Sequence, residues 1–408
     1  MAGAVISRGL MLAATVLVAR MLGKTGFGEL GMIRSTLGMF GVFAGFGLGL
    51  TATKHVAEFR TSDPARAGHI IGLSALFASV TGGLMALGLF IFAPWLAQHT
   101  INAPHLTGVL RIGALILFIN ALNGAQTGAL AGFEAFKTIA YVNLFVGLIS
   151  FPILVCGAYF GGLTGAVWAL TINLGVNWLL NHIALRKEER RYKVPFTLRN
   201  CSREWPVLWR FSLPAFLSGT VAQPVYWACI ALLVNQPNGY GEMGIFSAAD
   251  QWYGMLLFLP SMFGRVVLPV VSDQMGQNKA KPSIKTLVLA LKTNLLITVP
   301  LATAACIASP YIMSLYGEHF TSGWPTMVVL LLAAVVKAAI APAGILVAAS
   351  GKMWIGFATN SFWAVTIILG TLLLVDFGSL GIVVARLISF VLSAICNYMV
   401  VMWIVRNL

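Results

Sequence analysis

The sequence predicts an all-α integral membrane protein: twelve transmembrane helices arranged as two six-helix lobes. Three observations predict it. The chain is 59% hydrophobic and only 9% charged, with mean hydropathy +0.88. Apolar runs long enough to cross a bilayer, about 20 residues each, follow one another with little between them. Short motifs of the first half recur in the second at a nearly constant offset. In 408 residues, twelve such helices leave no room for a soluble catalytic domain.

The runs are 4–22, 30–53, 69–97, 107–131, 138–160, 163–185, 211–234, 243–271, 285–312, 324–349, 354–376 and 380–404, called spans 1 to 12. Their continuity makes them helices, since barrel strands alternate apolar and polar residues over about ten positions. Span 1 begins near Met1 behind few charges, but no polar mature domain follows it, so it is expected to be a retained helix and not a cleaved signal. Spans 3, 8 and 9 exceed the minimum and call for tilt or kinking. Span 4 carries Asn120, Asn123 and Thr127 on one face. Span 6 carries Asn173, Asn177 and Asn181 at i, i+4, i+8. Such stripes join helices by hydrogen bonds or line a cavity, the cavity reading carrying more weight for Asn120 and Asn123 in span 4 than for the stripe of span 6. Pro224 in span 7 and Pro260 in span 8 are hinge candidates, because proline removes a backbone hydrogen bond and bends a helix.

The repeat has three markers. Gly26-Phe27-Gly28-Glu29-Leu30-Gly31 is echoed by Gly239-Tyr240-Gly241-Glu242-Met243-Gly244 at an offset of 213. Gly162-Leu163-Thr164-Gly165 matches Gly378-Ser379-Leu380-Gly381 at 216, and Ala131-Gly132-Phe133-Glu134 matches Ser350-Gly351-Lys352-Met353 at about 219. Residues 1–185 and 211–408 are thus expected to be two parallel lobes, joined by a basic cytoplasmic linker over 186–210. Repeats of this kind expose a substrate held at the repeat interface to each side in turn.

Sixteen Lys and Arg residues stand in even-numbered loops, eight of them in the linker, against Arg20 and Lys24 near the odd ones. The positive-inside rule therefore places both termini and the even loops in the cytoplasm. The net charge of +14 reports topology and attraction to anionic headgroups, not nucleic-acid binding. Five scattered cysteines form no disulfide framework, six histidines show no metal-ligand spacing, and no phosphate-binding glycine loop or nucleophile motif is present.

Charge within a span costs about 2.5–3.5 kcal/mol at the helix centre and turns to protein or water. Arg34, Arg111, Arg265, Lys292, Lys337 and Arg386 are cations in or near spans, against the deep anion Asp250. Arg111 and Lys292 lie near span ends, where they can snorkel. In span 8, Asp250, Ser261 and Arg265 lie within about 60° on one face, forming a polar stripe; the two charges are too far apart to pair. The excess of cations suits an anionic, phosphate-bearing ligand.

Ala19-Arg20-Met21-Leu22-Gly23-Lys24-Thr25-Gly26-Phe27-Gly28-Glu29 resembles the first-loop signature of bacterial polysaccharide transporters, with Lys24 where the family has proline. Leu130–Phe136 resembles their turn after helix 4, and Phe246–Ser261 resembles their helix 8. The chain is accordingly identified as similar to Wzx-like oligosaccharide flippases of the multidrug/oligosaccharidyl-lipid/polysaccharide (MOP) exporter superfamily. Family members generally begin their first helix earlier. The resemblance implies a MATE-like fold in the inner membrane and alternating access. It implies flipping of an undecaprenyl-diphosphate-linked oligosaccharide to the periplasmic leaflet. It also implies a non-enzymatic monomer without cofactor or metal, driven by H+ or Na+, with membrane lipids and polysaccharide-assembly proteins as partners. Arg34, Asn120, Asn123, Asp250, Ser261, Arg265 and Lys337 are the candidate cavity residues. A multidrug or cation exporter is the alternative, disfavoured by the scarcity of acid; a membrane glycan polymerase or ligase would need a large outward loop.

Overall fold

The computed structural model describes residues 2–195, 197, 205, 216, 220–276, 280–350 and 353–406. The helices are α1 (Ala2–Gly45), α2 (Leu48–Phe59), α3 (Pro64–Trp95), α4 (Thr107–Gly132), α5 (Phe136–Arg191), α6 (Ala222–Val234), α7 (Gly239–Gly276), α8 (Ala280–Ile307), α9 (Ser309–Leu315), α10 (Trp324–Ala349), α11 (Met353–Leu374) and α12 (Gly378–Arg406). Seven stretches among the described residues are long and apolar enough to cross a membrane, so the chain is a multi-pass membrane protein. Their outer faces carry large apolar side chains such as Phe160, Leu296 and Trp354, more than three-quarters exposed, as a lipid-facing surface requires.

The spans map onto these helices through sharp bends at glycines. Spans 1 and 2 share α1, bent at Gly23 (φ 72°, ψ 177°). Spans 5 and 6 share α5, which turns at Gly162 (φ 54°, ψ −136°). Span 12 follows Gly378, at φ 65° and ψ −141°. Gly162 and Gly378 are the second repeat marker, and their backbones coincide within about ten degrees. Side chains are excluded from that region, so the same residue is demanded at the same place in both halves. Span 2 departs from its expected continuity: the backbone turns left-handed at Phe46 and Gly47 (φ 40° and 67°), and its end becomes α2.

The chain forms two compact units, Met1–Leu22 with Glu29–Trp227, and Gly23–Gly28 with Ala228–Leu408. The division thus falls at Trp227, beyond the linker expected to part the lobes, most of whose second half lies outside the described residues. In the first unit α4 packs on α2, α3 and α5; in the second α10 packs on α7, α8 and α12. Each repeat is therefore organised around its fourth span. The core contacts are small: Ala52, Ala67 and Ala129 in one cluster, Ala44, Ala78, Ala121 and Ala125 in another, as close helix approach in a membrane favours.

Loops sort by parity. In the first unit Arg60, from the second loop, donates to the Gly132 carbonyl at 2.9 Å, pairs with Glu134 at 2.7 Å, and lies 5.6 Å from the Tyr192 ring, which stacks on Phe133. That joins the second, fourth and sixth loops at one end. Glu29 and His105 join the first and third at 2.7 Å. Arg111 lies over the Phe90 ring at 5.1 Å, and Lys292 is exposed.

The second unit builds its odd-loop end around the first repeat marker. Gly28 and Gly244 permit the crossing: an added Cβ would sit 1.8 Å from the Tyr240 carbonyl oxygen and 2.1 Å from that of Lys24, respectively. Phe27 packs against Tyr316 and Phe320, at ring separations of 6.2 and 6.1 Å, and the two are 5.9 Å from each other. Glu242 accepts from the Ser379 N–H at 3.0 Å and its hydroxyl at 2.6 Å, and faces the Lys24 ammonium at 3.5 Å. Burial alone would raise the Glu242 carboxyl; the Ser379 donors and Lys24 outweigh it and hold it below its ordinary value.

Candidate functional site

The first unit contains a cavity of about 610 Å³. The second half of α1 lines it with Arg34, Leu37, Gly38 and Gly41, the i, i+3, i+4, i+7 positions of one helix face. Asn120 comes from α4, Ser150, Asn173 and Asn177 from α5, and Gln223 from α6. Among the described residues the lining holds one cation, several amides and a hydroxyl, and no carboxylate. Arg34 makes no ion pair among the described residues, and its Nη2 is buried without a hydrogen-bond partner. An unpaired guanidinium away from bulk water is expensive. A cavity that keeps one is suited to an anion carrying several acceptor oxygens, which the planar fork of donors matches.

The amides divide into two roles. Asn123 donates to Asn177 at 3.0 Å, Asn181 donates to Asn123 and to Asn177 at 2.7 Å each, and Asn173 donates to Ser150. Asn123 and the span 6 stripe thus form the interhelical network, with Asn173 and Asn177 also lining the cavity. Asn120 lines it from α4. Asn123 is not among the lining residues.

The second unit holds a separate cluster of charged and aromatic side chains, in which Arg386 is buried, Asp250 half-exposed and Lys337 exposed. Asp250 pairs with Arg386 at 2.9 Å. The Arg386 guanidinium lies 4.1 Å from the Tyr253 ring and 5.9 Å from Phe390, and Lys337 Nζ lies 5.2 Å from Phe390. Trp363 stacks on Phe390 at 6.2 Å. Sequence reasoning counted Arg386 among the cations but did not pair it, because 136 residues separate it from Asp250. The available signal was that a lone deep acid in a span must find a cation. Ser261 is exposed and its hydroxyl donates to the Phe258 carbonyl at 2.6 Å. The Arg265 side chain lies outside the described residues. Helix α7 continues through Pro260, and Pro224 sits in the first turn of α6, where a missing N–H costs nothing. No group of His, Cys, Asp and Glu among the described residues could hold a metal ion.

A family model described as polysaccharide biosynthesis protein matches residues 1–275. Among individual relatives, the EPS I polysaccharide export inner membrane protein EpsE of Ralstonia nicotianae is 24% identical over 375 residues, 89% of this chain and 82% of its own length. The lipid III flippase of Escherichia coli K12 is 24% identical over 261 residues, 63% of this chain and 61% of its own. Among solved structures, an inward-facing multidrug resistance MATE transporter of the MOP superfamily aligns with TM-score 0.80 at 15% identity, covering 98% of this chain and 95% of that one. The lipid II flippase MurJ aligns with TM-score 0.76 at 14% identity, covering 98% and 86%. The MATE-like fold expected from the loop signature is thus present.

Proposed function

The chain belongs to the polysaccharide biosynthesis protein family, and from that premise we propose that it is a flippase for a lipid-linked oligosaccharide. On this reading the substrate carries an undecaprenyl-diphosphate anchor, passes from the cytoplasmic to the outer leaflet of the inner membrane, and both termini face the cytoplasm. The observation that carries the proposal is Arg34, a partly buried guanidinium whose Nη2 lacks a partner, in a 610 Å³ cavity lined among the described residues by amides and no carboxylate. Phosphate oxygens would take the open Arg34 donor. Asn120, Asn173 and Asn177 would offer donors and acceptors to sugar hydroxyls, and the polyprenyl tail would remain in the bilayer. Arg265 and Lys337 are proposed as further cations that take part in binding the anionic substrate. The coupling ion is proposed to be H+ or Na+, and no bond of the substrate is made or broken.

A multidrug cation exporter shares the fold but needs negative charge where its cargo binds. Among the described residues, the only charge lining this cavity is positive.

The test is transport of a fluorescent undecaprenyl-diphosphate glycan in reconstituted vesicles. A hydrogen bond to a charged group contributes about 1.5–3 kcal/mol, so Arg34→Gln should slow transport roughly 10- to 150-fold, with Arg34→Lys between the two. Wild-type transport by Arg34→Gln at equal protein content would overturn the assignment.

A further inference from the structure

At the even-loop end of the first unit, α5 outruns span 6 and ends in a pocket of about 420 Å³ lined by Arg186, Glu189, Arg190, Lys193, Val194 and Pro195. Glu189 lies four residues past the span, about 6 Å at 1.5 Å per residue. That is the depth of a headgroup layer, roughly 5–7 Å on each side of the hydrocarbon.

The pocket is not merely basic. Glu189 is only 4% exposed. Its Oε2 accepts from Arg186 at 3.0 Å, while its buried Oε1 has no hydrogen-bond partner. Arg190 and Lys193 are exposed at the rim and form no ion pair among the described residues. The site therefore offers two unneutralised cations and one unsatisfied carboxylate oxygen. A simple anion would satisfy the first and repel the second. A phosphate joined to an N–H-bearing ammonium satisfies both.

The helix face supplies the rest of the fit. Leu179, Ile183, Arg186 and Arg190 follow 4-3-4 spacing, which places them along one side of α5, and Lys193 stands just beyond its end. Leu179 and Ile183 are 50% and 58% exposed, so an apolar, lipid-facing stretch runs directly into the cations. Lys193 is fixed by the helix terminus. The Val194 N–H bonds the Glu189 carbonyl at 2.8 Å and the Lys193 N–H bonds the Arg190 carbonyl at 3.3 Å. This is a Schellman cap with lysine at φ 54°, where glycine is usual.

We propose that this pocket binds the phosphoethanolamine headgroup of a membrane phospholipid. The phosphate sits on Arg190 and Lys193, the ammonium donates to Glu189 Oε1, and an acyl chain lies along Ile183 and Leu179. The site is distinct from the Arg34 cavity and does not depend on the flippase reading.

The experiment measures lipid retained by the purified full chain in detergent, by native mass spectrometry, with phosphatidylethanolamine, phosphatidylcholine and phosphatidylglycerol in turn. Choline has no N–H to donate, so phosphatidylethanolamine should be retained at least about tenfold better than phosphatidylcholine. Glu189→Gln should abolish that preference while retaining phosphatidylglycerol. Arg190→Gln should weaken phosphatidylethanolamine and phosphatidylglycerol alike. Lys193→Gly removes a cation yet relieves a left-handed backbone, so it should weaken both lipids without loss of folded protein. Soluble phosphoethanolamine should compete only weakly. Equal retention of phosphatidylcholine and phosphatidylethanolamine, or an unchanged preference in Glu189→Gln, would overturn the proposal. Binding of soluble phosphoethanolamine as tight as that of the lipid would overturn the assignment to a phospholipid.

Discussion

Asp250 and Arg386 should contribute unequally to the stability of the second unit, and the inequality can be worked out from their surroundings. The Arg386 side chain is 7% exposed and that of Asp250 is 45% exposed. Asp250→Asn leaves a buried guanidinium without its counter-charge. Breaking a buried pair from one side costs about 3–5 kcal/mol. The half-exposed Asp250 lowers that figure, and the Tyr253 ring at 4.1 Å still offers the cation about 1–2 kcal/mol. The expected loss is therefore roughly 2–3 kcal/mol. Arg386→Met fills a similar volume and leaves only a half-exposed carboxyl, which water can solvate; its loss should be about 1 kcal/mol. The double variant should resemble Arg386→Met alone, giving a coupling energy above about 1 kcal/mol. Reversible unfolding in mixed micelles, with the four proteins compared as a double-mutant cycle, reads this directly. Additive losses, or a larger loss from Arg386→Met than from Asp250→Asn, would refute the reasoning.

Three other outcomes are expected. Glu242 has a folded pKa held below its unfolded value of about 4.3, so its contribution is full above that pH and disappears as pH falls through the folded value; the difference in thermal midpoint between wild type and Glu242→Gln should shrink on acidification below pH ~4, and a constant difference would contradict the assigned contacts. Gly28→Ala places a Cβ 1.8 Å from the Tyr240 carbonyl oxygen and should cost about 1–3 kcal/mol through forced backbone movement, measurable as a lowered thermal midpoint; a wild-type midpoint would show that the crossing is looser than described. Single cysteines at Asn102 and Asn238 should react with an impermeant maleimide in intact cells, while one at Lys187 should react only after permeabilisation; the reverse pattern would invert the topology.

Much of this architecture is legible in the chain because membrane folding is locally coded. Hydropathy marks the spans, and Gly162 and Gly378 mark equivalent corners because no other residue adopts their backbone. What was not legible depends on approach between distant segments. The cations around Glu189 are its neighbours in sequence, but its burial and its unsatisfied oxygen are set by what packs over the end of α5. The Asp250–Arg386 pair and the separation of Asn120 from Asn123 likewise depend on helix rotation, which apolar runs all round a helix do not encode. The break at Phe46 and Gly47 was missed because hydropathy runs straight across it.

The six residues Gly23–Gly28 have a consequence for how the protein is made. They leave the ribosome some two hundred residues or more before the surfaces that receive them, around Tyr240, Glu242, Tyr316 and Phe320. During translation this segment has no seat, and the insertion machinery must hold or tolerate it until nearly the whole chain has emerged. Production of the two halves as separate polypeptides would accordingly leave the later half with an empty aromatic socket. A short peptide spanning Gly23–Gly28, supplied in trans or fused ahead of Ala228, is the missing piece such a split protein would need.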